Sequence, residues 1–414
     1  MNLELKHSVC NLQSTLSITG SKSETNRLLL LQALYPNITI ENASNSDDSE
    51  VMTKALSDDL SFQLAGEIDI HHAGTAMRFL TAYFAQKEGS EVVLTGSGRM
   101  KERPIKILVD ALHQLGAKIE YVENAGFPPI KVTGQKITKH KVSLKADVSS
   151  QYISALLLIA PKLENGLELT LEGEITSIPY IKMTLALLNE IEVETSFEEN
   201  TIKVNPKSQI PNPKTQIIES DWSSASYYYS IIALSEIGTK ITLSSYKQNS
   251  LQGDSALVEI YKNFGVETIL NSNNTISISK INTHNPKPET HNLNNAPDIA
   301  QTIAVTCFGL GIGCHLTGLH TLKIKETDRL EALKTELTKL GATISVSNNS
   351  LTLEPSLKIN SDIKIATYQD HRMAMAFAPL ALKTDIIIEN AAVVSKSYPT
   401  FWHDLRSIGF QIIE

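Results

Sequence analysis

The chain has 414 residues, of which 42% are hydrophobic and 20% charged, and its formal net charge is −8. That length exceeds what one hydrophobic core usually serves, so two or more domains are expected, and the balance is that of a globular protein, neither disordered nor fibrous. The acidity excludes a general binder of nucleic acid, and no apolar run nears the roughly 20 residues that span a bilayer, so any anion site has to be a local gathering of cations.

Residues Met1 to Cys10 read as a mixed, strand-like start with no basic-then-apolar pattern of a signal peptide. Cys10, Cys307 and Cys314 suit neither a zinc site nor a disulfide framework, and a reducing cytoplasm fits them best. Gly20-Ser21-Lys22-Ser23-Glu24-Thr25-Asn26-Arg27 closes a strand and leads into a helical run, Leu28–Leu34. Lys22, Ser23 and Arg27 then surround a helix N-terminus, which suits either an anion or a plain serine cap with two solvated cations. The glycine spacing of a nucleotide-binding loop is missing. Ala73-Gly74-Thr75-Ala76-Met77-Arg78 is a second helix start, where Gly74 admits close approach to the backbone and Thr75 can cap. Gly96 to Pro104 sets Arg99, Lys101 and Arg103 just ahead of a helix opened by Pro104. Arginine is scarce: only Arg27, Arg78, Arg99, Arg103, Arg329, Arg372 and Arg406 occur. All but Arg406 lie in these unusual segments, and arginine's fork grips carboxylate or phosphate as lysine cannot.

Ser149-Ser150-Gln151-Tyr152 precedes the apolar run Ile153–Ala160 and offers a neutral cradle for a phosphate or hydroxyl, or simply a cap. Pro206, Pro211 and Pro213 mark a joint, and crossings near residues 20 and 220 give domains of 20–219 and of 1–19 plus 220–414. Asp221-Trp222-Ser223 reads as a cap. Residues 271–295 read as strands with polar loops. Asp298 precedes the run Ile299–Gly309, as an N-cap or as an acid that moves protons. Lys325-Glu326-Thr327-Asp328-Arg329 precedes another helix, with Lys325 and Arg329 four apart on one face. Asp370-His371-Arg372 precedes Met373–Leu382, and Lys396-Ser397-Tyr398-Pro399 comes last.

One pattern recurs: an amphipathic helix, a glycine, a short strand. It is read at Ile105–Leu115, Leu257–Phe264, Arg329–Leu340 and Phe401–Ile408. Weaker copies stand at Ile181–Ile191 before Val193-Glu194-Thr195, and at Glu50–Leu56 before Ser61-Phe62-Gln63. Six copies imply six related α/β units, three to a domain. Helix starts that carry cations and an occasional carboxylate suit a substrate pair with several negative charges, with Asp298 and Glu326 as proton carriers. Neither a metal-ligand spacing nor a dinucleotide fingerprint occurs, so neither a metal nor a dinucleotide cofactor is expected.

These segments, in this order and over nearly the whole chain, resemble the 5-enolpyruvylshikimate-3-phosphate synthase family. The resemblance implies a two-domain inside-out α/β barrel (α/β, or α+β), each domain three βαβαββ units with helices inside and sheets outside. It implies transfer of the enolpyruvyl group of phosphoenolpyruvate to the 5-hydroxyl of shikimate 3-phosphate through a tetrahedral intermediate that loses phosphate, without a cofactor. Carried over residue by residue, Lys22 touches both substrates, while Ser23 and Arg27 hold the carboxylate side of the shikimate ring. Ser149, Ser150 and Ser177 hold the 3-phosphate and Gln151 lies beneath the ring, also bordering phosphoenolpyruvate. Gly74, Arg103, Arg329, Arg372 and Lys396 surround phosphoenolpyruvate. Asp298 accepts the proton of the 5-hydroxyl, Glu326 protonates the methylene carbon, and Lys325 contacts the hydroxyls. His72, Phe79, Thr321, Glu24 and Trp222 depart from the family pattern and bear on affinity more than on reaction type. The alternatives are the sister transferase that acts on UDP-N-acetylglucosamine with a loop cysteine, which the Arg99–Pro104 loop lacks, and an inactive binding protein on the same scaffold. A cytoplasmic monomer with small-molecule substrates, binding neither nucleic acid nor membrane, is expected.

Overall fold

A computed structural model of the chain describes residues 1–7, 13–57, 66–147, 149–282 and 288–414. The chain forms two compact units, one of residues 1–20 with 219–414 and one of residues 21–218. Cys10 and the strand expected at Ser61-Phe62-Gln63 lie outside the described residues.

Each unit is built on helices that are buried on most or all sides. In Trp222–Leu234 every residue is buried, and Ala300–Gly309 is buried from Ala300 to Phe308. Such helices have no face for water and must form the core. His371–Phe377 packs beside Ala300–Gly309 as the third core helix of its unit, and Pro379 tightens its continuation, Ala378–Leu382, into a 3-10 helix. That is shorter than the single α-helix read over Met373–Leu382. In the other unit the corresponding helices are Lys22–Leu34, Gly74–Gln86 and Ser150–Ile159.

The sheets lie outside these helices and show the alternation that one solvated face produces. Leu167–Glu172, for example, alternates buried Leu167, Leu169 and Leu171 with more exposed neighbours. A single topology repeats. Glu67–Asp69 runs parallel to Glu91–Thr95, which pairs antiparallel with Ile130–Thr133, which pairs antiparallel with Lys118–Tyr121. Lys141–Lys145, Leu167–Glu172, Thr201–Val204 and Thr195–Glu198 repeat it. So do Glu289–Asn292, Cys314–Thr317, Ser350–Leu353 and Ile344–Val346. Two more copies use the N-terminal strands. Gln13–Leu16 runs parallel to Lys240–Leu243, and Leu3–Lys6 lies between Ile386–Ile388 and Gln411–Ile413. A sixth sheet shows the parallel pair Lys214–Ile217 and Ile38–Glu41.

The helix-to-strand joints follow from the backbone. Gly116, Gly265, Gly341 and Gly409 have φ of 99°, 78°, 102° and 100°, the left-handed turn that ends a helix without a side-chain penalty. At the fifth joint Glu192 takes φ 64°, and its strand begins at Thr195, two residues beyond Val193. Among the described residues no helix is long and apolar enough to cross a membrane.

Candidate active site

In the unit of residues 21–218 the polar side chains gather where its core helices begin. A helix N-terminus leaves backbone N–H groups without partners, and small hydroxyl residues answer them. Ser21 accepts from the Glu24 N–H at 3.5 Å, and Ser149 from the Gln151 N–H at 3.3 Å. Gly74–Gln86 has neither a side-chain cap nor an acid in its first turn. Gln151 Nε2 donates to Thr75 Oγ1 at 3.2 Å, so two of these N-termini touch. Lys22 Nζ lies 3.1 Å from the buried Asp48 carboxylate, and His72 Nε2 is 4.0 Å from both Asp47 and Asp48.

Arg103 lies directly on Gly74. A methyl group at Gly74 would come within 2.5 Å of Arg103 Nη1 and 2.8 Å of Nη2. The Arg103 Nε is buried with no hydrogen-bond partner. The backbone behind it is fixed, because the Pro104 carbonyl accepts from Arg78 Nη2 at 3.1 Å and from Tyr152 Oη at 2.6 Å. A guanidinium parked on the positive end of an uncapped helix is unfavourable by itself and calls for an anion. Ser177 takes a left-handed φ of 54°, and its hydroxyl does not cap the helix Ile178–Glu190 that it precedes.

In the unit containing residues 219–414, Arg329 organises the acids. Its Nε donates to Asp370 Oδ2 at 2.6 Å, Nη1 to Asp298 Oδ1 at 2.9 Å and Nη2 to Glu326 Oε2 at 2.8 Å. Arg372 Nη2 lies 3.2 Å from Asp298 Oδ2, and Lys325 Nζ 3.6 Å from Asp298 Oδ1. Burial pushes the Asp298 carboxyl up, but Arg372, Lys325 and Arg329 outweigh it and hold it well below the usual carboxylate range. Burial pulls the Lys325 ammonium down, against the attraction of Asp298. Asp298 is thus ionised, ringed by cations and 12% exposed. Lys396 Nζ donates to the Gln369 carbonyl at 2.8 Å.

A family model described as EPSP synthase (3-phosphoshikimate 1-carboxyvinyltransferase) matches residues 58–405. A 3-phosphoshikimate 1-carboxyvinyltransferase of Bacteroides fragilis strain YCH46 is 45% identical over 406 residues, 97% of this chain and 96% of that one. Its counterpart in Histophilus somni strain 2336 is 35% identical over 427 residues, 97% of each. The chain belongs to the EPSP synthase family. Among solved structures, EPSP synthase from Acinetobacter baumannii superposes with a TM-score of 0.80 at 20% identity, covering 100% of this chain and 99% of that one. The enolpyruvyl transferase NikO from Streptomyces tendae gives 0.74 at 13% identity, covering 100% and 98%. These two likenesses bear on fold alone.

Within this EPSP synthase family member, several sequence expectations need correction. Arg27 is not at a helix start, because Ser21 caps the helix and places Arg27 in its second turn. Its guanidinium turns inward to Thr184 Oγ1 at 2.8 Å, Ser23 O at 2.7 Å and Ser154 Oγ at 2.9 Å, over the ring of buried Phe79. Burial lowers its basicity to about 10. Lys325 and Arg329 do not share a helical face: Asp328 caps the helix, which starts only at Arg329, and the two cations converge on Asp298 instead. Asp298 is the N-cap of neither Pro297–Ile299 nor Ala300–Gly309, whose cap positions are Ala296 and Ile299. Arg99 pairs with Glu102 at the surface. Asp221 does cap, and the Trp222 indole donates to Glu219 at 2.8 Å. Glu24 is buried at 1% exposure, and Thr321 Oγ1 is buried without a partner.

Sequence reasoning missed Asp48 and, although it singled out Asp370-His371-Arg372, gave Asp370 no role of its own. Asp48 looks like one of the ordinary acids of a helix first turn, and Asp370 like a cap, which it is for Arg372 N–H at 2.8 Å while also gripping Arg329. An asparagine or aspartate doing two jobs leaves no separate mark in a sequence.

Gly74→Ala offers a direct test. The three atoms nearest the added methyl all belong to the Arg103 guanidinium, the far end of a flexible side chain, so the fold should survive with a nearly unchanged melting temperature. Arg103 must move; if it holds a substrate anion, the Michaelis constant for that anion should rise about tenfold or more, the worth of one charge-assisted contact. An unchanged constant would show that Arg103 is not held in place by Gly74.

Proposed function

We propose that the chain transfers the enolpyruvyl group of phosphoenolpyruvate to the 5-hydroxyl of shikimate 3-phosphate and releases phosphate, by addition followed by elimination. One observation carries the reading: an ionised Asp298 held among Arg329, Arg372 and Lys325, with Glu326 on the same arginine. The names of the relatives and the family agree with it.

In the unit of residues 21–218, Ser149, Ser150 and Ser177 hold the 3-phosphate, and Lys22, Ser23 and Gln151 orient the ring. Arg27 supports the ring's carboxylate side with what its inward bonds leave, while Gly74 and Arg103 receive phosphoenolpyruvate. In the other unit, Arg372 and Lys396 bind phosphoenolpyruvate, and Arg329 acts there as the anchor of the acids. Asp298 takes the proton of the 5-hydroxyl, which Lys325 also contacts. Glu326 gives a proton to the methylene carbon. A neutral hydroxyl needs a base, a vinyl carbon needs an acid, and fixed cations stabilise the clamped anions. A cytoplasmic monomer with no membrane partner completes the reading, and the net charge of −8 argues against a nucleic-acid partner. This chain lacks the loop cysteine used by the rival that acts on UDP-N-acetylglucosamine, since Gly98–Lys101 and the residues up to Pro104 contain none.

The test is phosphate release from phosphoenolpyruvate with and without shikimate 3-phosphate; release independent of the second substrate would overturn the reading. Within it, Arg103→Lys and Arg372→Lys keep the charge but lose the fork. Each should weaken phosphoenolpyruvate binding by about 1–3 kcal/mol. Titration of each purified variant checks this, and unchanged affinity would remove that arginine from the phosphoenolpyruvate site.

A further inference from the structure

Asp254 is a buried acid that the reaction as described does not use. It lies in the short 3-10 turn Gly253–Ala256 and is 3% exposed. Its Oδ2 accepts from Ser223 Oγ, and its Oδ1 is buried without a hydrogen-bond partner. The same Ser223 oxygen accepts from Arg372 Nη2 at 3.3 Å, and that nitrogen lies 3.2 Å from Asp298 Oδ2. Asp254, Ser223, Arg372 and Asp298 therefore form one line, all within a single unit.

The serine hydroxyl sets the sense of this line. It has one hydrogen and two lone pairs. With the hydrogen given to Asp254, a lone pair faces the guanidinium. Without Asp254 the hydrogen has no fixed acceptor and can swing towards Arg372, where it repels the cation. As a stabiliser of the fold Asp254 is poorly placed, because a bare buried carboxylate oxygen is costly and an apolar residue would serve better. Burial, and then the neighbouring Asp298, push its carboxyl up to about 7. A strongly perturbed acid beside such a cluster is a candidate for a role in the chemistry.

We propose that Asp254 is a positioning residue for the reaction: through the Ser223 hydroxyl it fixes the Arg372 guanidinium where it meets Asp298. This rests on the roles given above to Arg372 and Asp298. The test uses the full chain carrying Ser223→Ala, Asp254→Ala, both together, and Asp254→Asn. Phosphate release is measured against each substrate, and each variant is melted. Either alanine variant should raise the Michaelis constant for phosphoenolpyruvate about tenfold, leaving that for shikimate 3-phosphate unchanged. The double variant should be no worse than the worse single one. Asp254→Asn, whose amide oxygen still accepts from Ser223, should recover most of the loss. Losses that multiply in the double variant, or an asparagine variant as poor as alanine, would overturn the proposal. Should Asp254→Ala fail to fold, Ser223→Ala decides alone: a normal phosphoenolpyruvate constant in that enzyme sinks the role of Asp254. A wild-type protein that releases no phosphate overturns the functional reading instead.

Discussion

Asp298→Asn and Glu326→Gln are each expected to lower turnover by about 10²-fold or more, the usual contribution of a positioned acid or base. The two should differ in their effect on substrate affinity. Asp298 shares its oxygens with Arg329, Arg372 and Lys325. Removing its charge leaves those cations less neutralised, so phosphoenolpyruvate should bind as well as before or better while turnover collapses. Glu326 touches Arg329, which is 1% exposed and remains satisfied by Asp370 and Asp298. Its loss should leave both Michaelis constants nearly unchanged. Steady-state kinetics on folded variants read both effects, and near-normal turnover in either would remove that residue from proton transfer.

The depressed Asp298 carboxyl has a consequence for catalysis. A carboxylate held that low is a weak base, and three cations are the cause. An incoming phosphate or carboxylate competes for Arg372 and Lys325, so substrate binding itself should raise the basicity of Asp298. The same shift bears on stability, with a definite sign. A carboxyl whose folded value lies below its unfolded one, about 3.9, adds stability that is present above that unfolded value and lost as pH falls towards the folded one. The asparagine variant lacks this contribution at neutral pH and should lose less than wild type between pH 5 and pH 3.

How far the sequence shows all this depends on the range of the interaction. Helix starts such as Ser21-Lys22-Ser23 and Ser149-Ser150-Gln151 are local events, set by hydroxyl caps and by the apolar runs that follow. The glycines at positions 116, 265, 341 and 409 are local too, since each turns a helix end through a left-handed residue. Partners far along the chain are another matter. Nothing near Arg27 says that Thr184 and Ser154 will take its guanidinium, 157 and 127 residues away. Nothing near Gly74 says that Arg103 will cover it. Asp254 sits in an unremarkable loop, and only its contact with Ser223, 31 residues away, gives it a place beside the site. The residue types suited to anions are legible in the sequence; which of them face one another is not.

Arg329 shows the difference most sharply, and its replacement by lysine should have the largest effect on the fold. In sequence it is one more cation near an acid, and a clamp for a substrate anion. In the structure its fork is divided among Asp370, Asp298 and Glu326, and the Asp370 side chain is itself fully buried. Those carboxylates more than offset the burial that would lower its basicity, so it stays charged. A lysine in its place is a single point charge that cannot reach three acids in one plane. At least one carboxylate, Asp370 first, would be left buried without its counter-ion. Breaking a buried pair in this way costs about 3–5 kcal/mol. For a unit of this size that corresponds to a fall in melting temperature of roughly 10 °C. Arg406→Lys is the control: its pair with Glu414 is exposed, and exposed pairs contribute little, so that variant should melt with wild type. Thermal melting of the two variants side by side decides the point. If Arg329→Lys also melts with wild type but binds phosphoenolpyruvate weakly, Arg329 is a substrate clamp after all and the acids are held by something else.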